Sequence, residues 1–337
     1  MNKDTILLDH GSGGLASQEL IRDLLLKYLD NPVIRNLEDS AVVGEIEGRI
    51  VFTTDSYVID PPFFPGGNIG SLAVHGTIND LAMKGAVPIC LSLGLILEEG
   101  LAVSDLEVIV SSIARSCSRA EVVVATGDTK VVPRGKGDGI FINTSGIGSV
   151  PFGLEISASR AKAGDKVILS GTMADHGISI LTRREGLNLE GNLASDSMSL
   201  HFLVKELCDT LGGEIHTLRD PTRGGVATSL CEIAESSGTG ISIEEKCLPV
   251  SPEVGYACEI LGLDPLYLAN EGKCLVIVED KSVDEALKIM RSRPEGRDAA
   301  VIGSVTAGPS GTVEMVTRIG GRRLITPLAG EPLPRIC

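Results

Sequence analysis

Five aspartates, two glycine-rich loops and the cysteine at the last position are the residues of this 337-residue chain whose chemistry stands out. Asp55 and Asp128 each follow a β-rich run, where side chains gather at the edge of an α/β sheet. Asp39 follows the short apolar segment 33–37, Asp80 interrupts an apolar helix beside Asn79, and Asp220 opens Asp220-Pro221-Thr222-Arg223-Gly224-Gly225. An unpaired carboxylate in an apolar helix costs several kcal/mol, roughly, so Asp80 is the hardest to read as a mere turn former. Hard cations such as Mg²⁺ take carboxylate and phosphate oxygens together, which an acidic cluster beside a phosphate loop supplies. Asp39, Asp55, Asp80, Asp128 and Asp220 are therefore the candidate metal ligands. Spacing alone does not say whether the five meet or serve separately as caps and turns.

His10-Gly11-Ser12-Gly13-Gly14 lies between an expected strand and an expected helix, where backbone N–H groups can cradle phosphate or simply turn the chain. Gly11, Gly13 and Ala16 satisfy a relaxed dinucleotide pattern, but no acidic partner is clearly placed and no Walker A loop exists. Arg223-Gly224-Gly225 ahead of a helix is a second potential anion site or a capped turn, and Lys130 after Gly127-Asp128-Thr129 reaches a phosphate or solvent. Cys337 ends Pro332-Leu333-Pro334-Arg335-Ile336-Cys337, which is no prenylation box. It is a chance exposed thiol or a nucleophile on an arm; ten extended residues span roughly 33 Å.

These residues need elements to hold them. The pattern predicts a strand over 5–9, a helix with Ser17 as N-cap, and a strand over 49–54 ending at Asp55. It continues with a helix over 70–84, strands over 89–97 and 121–126 with a helix over 103–118 between them, and a strand over 141–148. A second α/β unit begins near Asp165, with helices over 175–184, 198–211, 253–261 and 282–291, and another running from the Asp220–Gly225 turn to about Ser236. Its strands fall over 166–170, 274–278 and 299–305. The fold class is α/β (α+β): an N-terminal domain over 1–155, a C-terminal domain over 156–307, and a flexible tail over 308–337 carrying Cys337, with short strands over 312–318 and 322–325. Residues 328–337 read as extended and mobile.

A formal charge of −15 excludes a surface that grips nucleic-acid phosphates nonspecifically, although a divalent cation still lets such a chain bind a nucleotide. No apolar run is long enough to cross a bilayer. The first nine residues carry no signal-peptide pattern, and eight cysteines without CxxC spacing read as free thiols, so a reducing cytoplasm is the expected compartment.

Taken together, Leu8–Gly14, Glu38-Asp39-Ser40-Ala41-Val42-Val43, Thr53-Thr54-Asp55-Ser56, Ile78-Asn79-Asp80, Thr126-Gly127-Asp128-Thr129-Lys130 and Asp220–Gly225 resemble the ATP-binding superfamily of aminoimidazole ribonucleotide synthetase, selenophosphate synthetase and thiamine-monophosphate kinase. Asp9-His10-Gly11-Ser12-Gly13-Gly14 and the terminal Pro334-Arg335-Ile336-Cys337 narrow the resemblance to the HypE family of hydrogenase maturation factors. One departure is Glu38-Asp39-Ser40-Ala41, where the family pattern is Asp-Asp-Ala-Ala; Asp39 keeps the carboxylate. The resemblance implies a homodimer pairing N-terminal sheets, with ATP near the interface. It implies ATP contacts at Gly11, Ser12, Gly13, Gly14, Asp55, Asn79, Asp80, Thr126, Gly127, Asp128, Arg223 and Gly224, and Mg²⁺ on the five aspartates. It implies a carbamoyl group placed on Cys337 by the carbamoyltransferase HypF, dehydrated with ATP to a thiocyanate, and delivered as cyanide for the iron of NiFe hydrogenase on a HypC–HypD complex. Lys130 and Glu271 would orient or deprotonate the carboxamide, Glu271 as an ordinary ionised carboxylate, and His10 is a further catalytic candidate. The rival readings are a small-molecule kinase or ligase of the superfamily, which needs no Cys337, and a noncatalytic thiol carrier. A selenophosphate synthetase would need a reactive cysteine near the N-terminus, where the first cysteine is Cys90 in an apolar run, and a dinucleotide oxidoreductase has only the weak fingerprint.

Overall fold

The computed structural model describes residues 4–38, 40–187, 193–330 and 333–337, so Asp39 lies outside the described residues. The N-terminal segment makes one isolated bridge, Thr5 to Ala102, and then a 3-10 turn over Leu8–Gly11 in place of the expected strand. A helical run follows in three pieces: α1 (Leu15–Leu20), a π-helical turn over Ile21–Leu25, and α2 (Leu26–Leu29). Gly14 rather than Ser17 caps α1; the Ser17 hydroxyl instead accepts from Gly13 N–H at 2.9 Å and donates to the Asp9 carbonyl at 3.1 Å, pinning the glycine loop.

The first domain continues with β1 (Arg49–Tyr57), the small hairpin β2 (Phe63–Phe64) and β3 (Gly67–Asn68), α3 (Ile69–Ala82), β4 (Val87–Glu98), α4 (Val103–Arg119), β5 (Val123–Val132) and β6 (Ile140–Val150). Asn68 starts α3 with a capping box: its side-chain oxygen accepts from Gly70 and Ser71 N–H, and Ser71 Oγ accepts from Asn68 N–H. Four strands form one sheet in the order β1-β6-β4-β5. On β1 the alternation is regular: Val51, Thr53, Asp55 and Tyr57 face α3, while Ile50, Phe52, Thr54 and Ser56 face outward. The strands run on through Asp55 and Asp128 rather than ending at them. Asp128 stands on the open outer face, and Asp55, half-buried on the face toward α3, keeps polar surroundings between the domains, so neither terminates pairing.

The second domain comprises β7 (Lys166–Leu169), α5 (Asp175–Arg184), α6 (His201–Leu211), β8 (Ile215–Arg219), α7 (Gly225–Ser237), β9 (Gly240–Glu244), α8 (Pro252–Leu261), β10 (Leu275–Val278), α9 (Val283–Arg291), β11 (Ala300–Thr306), β12 (Val313–Val316) and β13 (Arg322–Ile325). Its seven-stranded sheet has the order β13-β12-β9-β11-β7-β10-β8. Strands β12 and β13 belong to this sheet, so the tail set at 308 on sequence grounds leaves the body only after Ile325. The expected mobile end is also docked: Leu333 and Ile336 are buried among side chains of both domains. Burying those two side chains offsets the entropy of ordering an extended segment. Among the described residues, no helix is long and apolar enough to cross a membrane.

The domains are joined by a polar strut. The Asn79 amide on α3 donates to the carbonyls of Met198 (2.9 Å) and Glu271 (3.2 Å), and its oxygen accepts from Leu200 N–H (2.8 Å). Both amide protons are spent and the side chain is buried, so Asn79 acts as a joint rather than as the nucleotide contact expected of it.

Candidate active site

The glycine loop closes one end of a cavity of about 230 Å³ along the edge strand β5. Ile21, Leu25, Leu93, Leu95 and Val124 give it an apolar floor, while His10, Gly11, Gly13, Glu38, Asp128 and Lys130 give it a polar rim. Thr126 and Gly127 line it as well. An apolar slot with polar groups at its mouth suits a flat heterocycle carrying a charged chain. Gly11 is required by close approach, since a Cβ there would stand 2.5 Å from the Val131 backbone nitrogen. Ser12 and Gly14 do not line the cavity; Ser12 donates to the Asp9 carbonyl and Gly14 caps α1. His10 accepts from Leu7 N–H through Nδ1 at 3.0 Å, which leaves Nε2 as the protonated nitrogen of the neutral ring. Lys130 pairs with Asp128 at 2.8 Å and, first through that bond, holds the Asp128 carboxyl below the usual range.

A second cluster lies between the domains. Asp55 comes from β1, Asp80 from α3, Asp220 from the turn after β8, and Glu271 from the segment before β10. Thr53 Oγ1 donates to Asp80 at 2.8 Å. Burial, and then the charge of Asp55, raise the Asp80 carboxyl above its ordinary value against the pull of that bond. Burial and then Asp80 push Asp220 up to about 7. Glu271 is driven furthest: burial comes first, and Asp196, Asp220, Asp55 and Asp80 add to it, holding its pKa well above the normal range. Burial and the neighbouring charges thus favour the protonated form of Glu271 in this state, which differs from the ordinary ionised base expected of it.

Cys337 reaches the same cluster. Arg223 Nε donates to its sulfur at 3.3 Å, and Val58 N–H donates to its carbonyl at 3.0 Å. Burial, reinforced by Glu271, pushes the thiol up to about 12 although Arg223 pulls the other way, so the docked sulfur is a thiol and not a thiolate. Gly224, left-handed at φ +73, turns the chain into α7 directly after Arg223.

The five candidate aspartates thus do not form one set. Asp55 pairs with Thr144, Thr144 with Leu93 and Leu93 with Gly127, so Asp55 and the Gly127–Asp128 step stand at opposite edges of the sheet. Three strand spacings separate them by about 14 Å. Asp128 also falls in the row of Ser56, Asn143 and Gly94, on the face opposite to Asp55. Within one chain Asp128 and Lys130 belong with the glycine-loop cavity, while Asp55, Asp80, Asp220, Arg223, Glu271 and Cys337 form the interdomain cluster. Among the described residues, no three His, Cys, Asp or Glu side chains stand close enough to enclose a metal ion by themselves. Mg²⁺ commonly keeps waters and shares phosphates with one or two carboxylates, so a caged site is not what a nucleotide-borne Mg²⁺ requires. The raised carboxylates of Asp80 and Asp220 are the donors whose mutual repulsion a cation would relieve.

Sequence reasoning passed over an ion pair beneath this cluster. Lys273 pairs with Asp196 at 3.1 Å with both side chains under a tenth exposed. Asp196 also accepts from Glu271 N–H at 3.1 Å, and so seats the glutamate. Burial opposes the charge on Asp196, but Lys273 outweighs it and holds the carboxyl below its usual value. Replacing Lys273 by Met is expected to destabilise the fold by about 3–5 kcal/mol, read as a fall in the midpoint of denaturant unfolding, because it leaves a buried charge uncompensated. His176 and Arg184 on α5 were also missed; they meet the tail.

The N-terminal domain of AIR synthase related protein matches residues 37–150, and its C-terminal domain matches residues 162–316. Carbamoyl dehydratase HypE of Azotobacter vinelandii is 50% identical over all of this chain and 98% of its own. The chain belongs to the HypE family. Hydrogenase maturation protein HypE, solved in complex with ATP, superposes with a TM-score of 0.96 at 49% identity, covering 99% of this chain and 100% of that one. The HypE chain of a solved HypE-HypF complex superposes at 0.81 and 46% identity, covering 92% and 99%. The HypE relationship thus spans both domains and the tail, in agreement with the mixed α/β fold and the resemblance read from the motifs.

Proposed function

We propose that this protein dehydrates a carbamoyl group carried on its own Cys337 to a thiocyanate at the expense of ATP. The observation that carries the reading is the docking of Cys337 against Arg223 beside the Glu271 cluster. Further support comes from the carbamoyl dehydratase relatives and from the HypE complexes with ATP and with HypF. A docked thiol with its pKa near 12 is a poor nucleophile, so the carbamoyl group would be loaded with the tail undocked, by HypF, and processed with the tail docked.

The chemistry is that of a poor leaving group. The carbamoyl oxygen attacks the γ-phosphorus of ATP and ADP leaves; the C–O bond then breaks with phosphate as leaving group while the nitrogen gives up both protons, leaving S–C≡N. Arg223 orients the sulfur-bound group. Glu271 takes a nitrogen proton once the surrounding negative charge is neutralised. Asp55, Asp80 and Asp220 would hold Mg²⁺ on this side and Asp128 on the other, with Asp39 a further candidate; the ion would offset triphosphate and carboxylate charge. Lys130, His10 and the loop residues Gly11 and Gly13 would serve the nucleotide in the glycine-loop cavity.

The homodimer is part of this reading. Ile50 and Phe52 on β1 are each 65% exposed, and Ile96 on β4 is 45% exposed, all on the outer sheet face that carries Asp128 and Lys130 by register. Pairing two such faces would bury the apolar side chains and bring the Asp128–Lys130 pair of one protomer toward the other. Sedimentation at twice the chain mass is expected for the wild type, with Phe52→Glu sedimenting as a monomer; a monomeric wild type would remove the dimer from the mechanism.

The functional test is the mass of the C-terminal peptide after incubation with HypF, carbamoyl phosphate and Mg-ATP. A cyano adduct on Cys337 that needs ATP hydrolysis supports the dehydratase, whereas a persistent carbamoyl adduct would leave a thiol carrier. An unmodified thiol would favour a small-molecule kinase or ligase. The product cyanide is destined, on this reading, for an iron centre on HypC–HypD, and the protein works in the cytoplasm.

A further inference from the structure

The docked tail is held mainly by its backbone, and two residues outside the reacting cluster do most of the holding. Arg184, the last residue of α5, donates through Nη1 to the Pro334 carbonyl (2.7 Å) and through Nη2 to the Arg335 carbonyl (2.7 Å). The same guanidinium donates through Nε and Nη2 to the Asp60 carbonyl of the first domain, at 2.9 and 2.7 Å. Two turns earlier on α5, His176 Nε2 lies 2.8 Å from the Ile336 carbonyl, and Nδ1 lies 2.8 Å from Ser195 Oγ. A carbonyl can only accept, so Nε2 carries the proton and Nδ1 accepts from the serine hydroxyl. The opposite wall is the end of β1: Asp60 N–H donates to the Arg335 carbonyl and Val58 N–H to the Cys337 carbonyl. Every tail carbonyl from Pro334 to Cys337 is thereby met, while Leu333 and Ile336 are buried and the Arg335 side chain donates to the Val58 carbonyl at 2.8 Å and pairs with Asp138.

From this geometry we infer that Arg184 and His176 are positioning residues that latch the tail by its carbonyls and set how Cys337 divides its time between the site and the outside. The inference rests on the dehydratase reading for its purpose but not for its test. The latch reads backbone carbonyls, so it holds the tail whether the sulfur is free or bears a small group. Loading by a partner enzyme and ATP-dependent processing need opposite tail positions, and a weakened latch must move the two steps in opposite directions. A merely structural role would slow both.

The test is the rate at which iodoacetamide alkylates Cys337 in the full-length protein, followed by the mass of the C-terminal peptide. Six of the other seven cysteines are buried and report in the same sample whether the fold is intact. Arg184→Gln is expected to raise Cys337 labelling about tenfold or more, because several bonds from one charged group are lost together. His176→Phe, which keeps a ring of similar size and removes the donor, is expected to raise it as well, and His176→Gln to restore most of the protection. Wild-type labelling rates in both Arg184→Gln and His176→Phe would overturn the latch. If the glutamine variant also exposes the buried cysteines, Arg184→Lys decides: it keeps stem and charge but cannot bridge two carbonyls, so an unchanged rate overturns the inference and a raised one supports it. With HypF, carbamoyl phosphate and Mg-ATP, Arg184→Gln is expected to accumulate the carbamoyl adduct and lose the cyano adduct. If the wild type never forms a cyano adduct while the labelling differences hold, the dehydratase reading fails and the latch stands.

Discussion

Cys337→Ala is expected to abolish the cyano product entirely while changing ATP affinity by no more than about twofold, the range of a substitution outside a binding contact. The sulfur is half-buried and meets the Arg223 side chain across 3.3 Å, so removing it takes away the proposed acceptor of the carbamoyl group without disturbing the glycine-loop cavity on the far edge of the sheet. Equilibrium binding of ATP to the two proteins, together with the mass of the C-terminal peptide, checks both halves. Loss of nucleotide binding in the alanine variant would mean that the docked tail builds the ATP site, and would turn the sulfur from a substrate carrier into a structural element.

Glu271→Gln is expected to lower the dehydration rate by about 10²–10⁴-fold, the usual worth of a positioned acid or base. The same change should leave thermal stability at pH 7 unchanged or higher. Glutamine matches the shape of the protonated glutamic acid, the form that burial first and then the surrounding carboxylates favour at Glu271. The linkage sign follows from a raised carboxyl pKa. Folded Glu271 keeps a proton that the unfolded chain gives up, so its contribution to stability is full below the ordinary glutamate range and is lost as pH rises toward the folded pKa. The melting advantage of Glu271→Gln over the wild type should therefore grow with pH above about 4.3, the ordinary glutamate value. A glutamine variant with full activity would move the base elsewhere in the cluster.

The order of elements was legible in the chain because most of them declare themselves. Helix α3 ends near Gly85 and starts at a polar cap, and β4 is an apolar run bounded by Pro88 and the Glu98-Glu99 pair. Strand ends were misread where charge was taken as a stop: Asp128 sits inside its strand on the open sheet face, and Asp55 inside its own on the face that meets the interdomain cluster. The site was legible as a list but not as a map. Sheet order differs from chain order, so Asp55 and Asp128 fall on opposite edges although both follow similar β-rich runs. The charge state of Glu271 depends on burial and on four neighbours, all of them more than fifty residues away in the chain, which no local pattern encodes. The tail was legible as extended but not as docked, since its contacts are backbone carbonyls, and those look the same in every sequence.

The π-helical turn at Ile21–Leu25 packs one more residue into its loop than an α-helix would, and both Ile21 and Leu25 lie in the floor of the glycine-loop cavity. Such a turn is what an α-helix becomes when a single residue is inserted without unravelling the rest. The lengths on either side are then not interchangeable. Excising one residue between Ile21 and Leu25 would let the run close to a regular helix with its flanks still in phase, but without the spacing that puts both side chains in the cavity floor. The glycine loop is pinned to the same run through Ser17, so the shape of its cavity is written partly in a residue count.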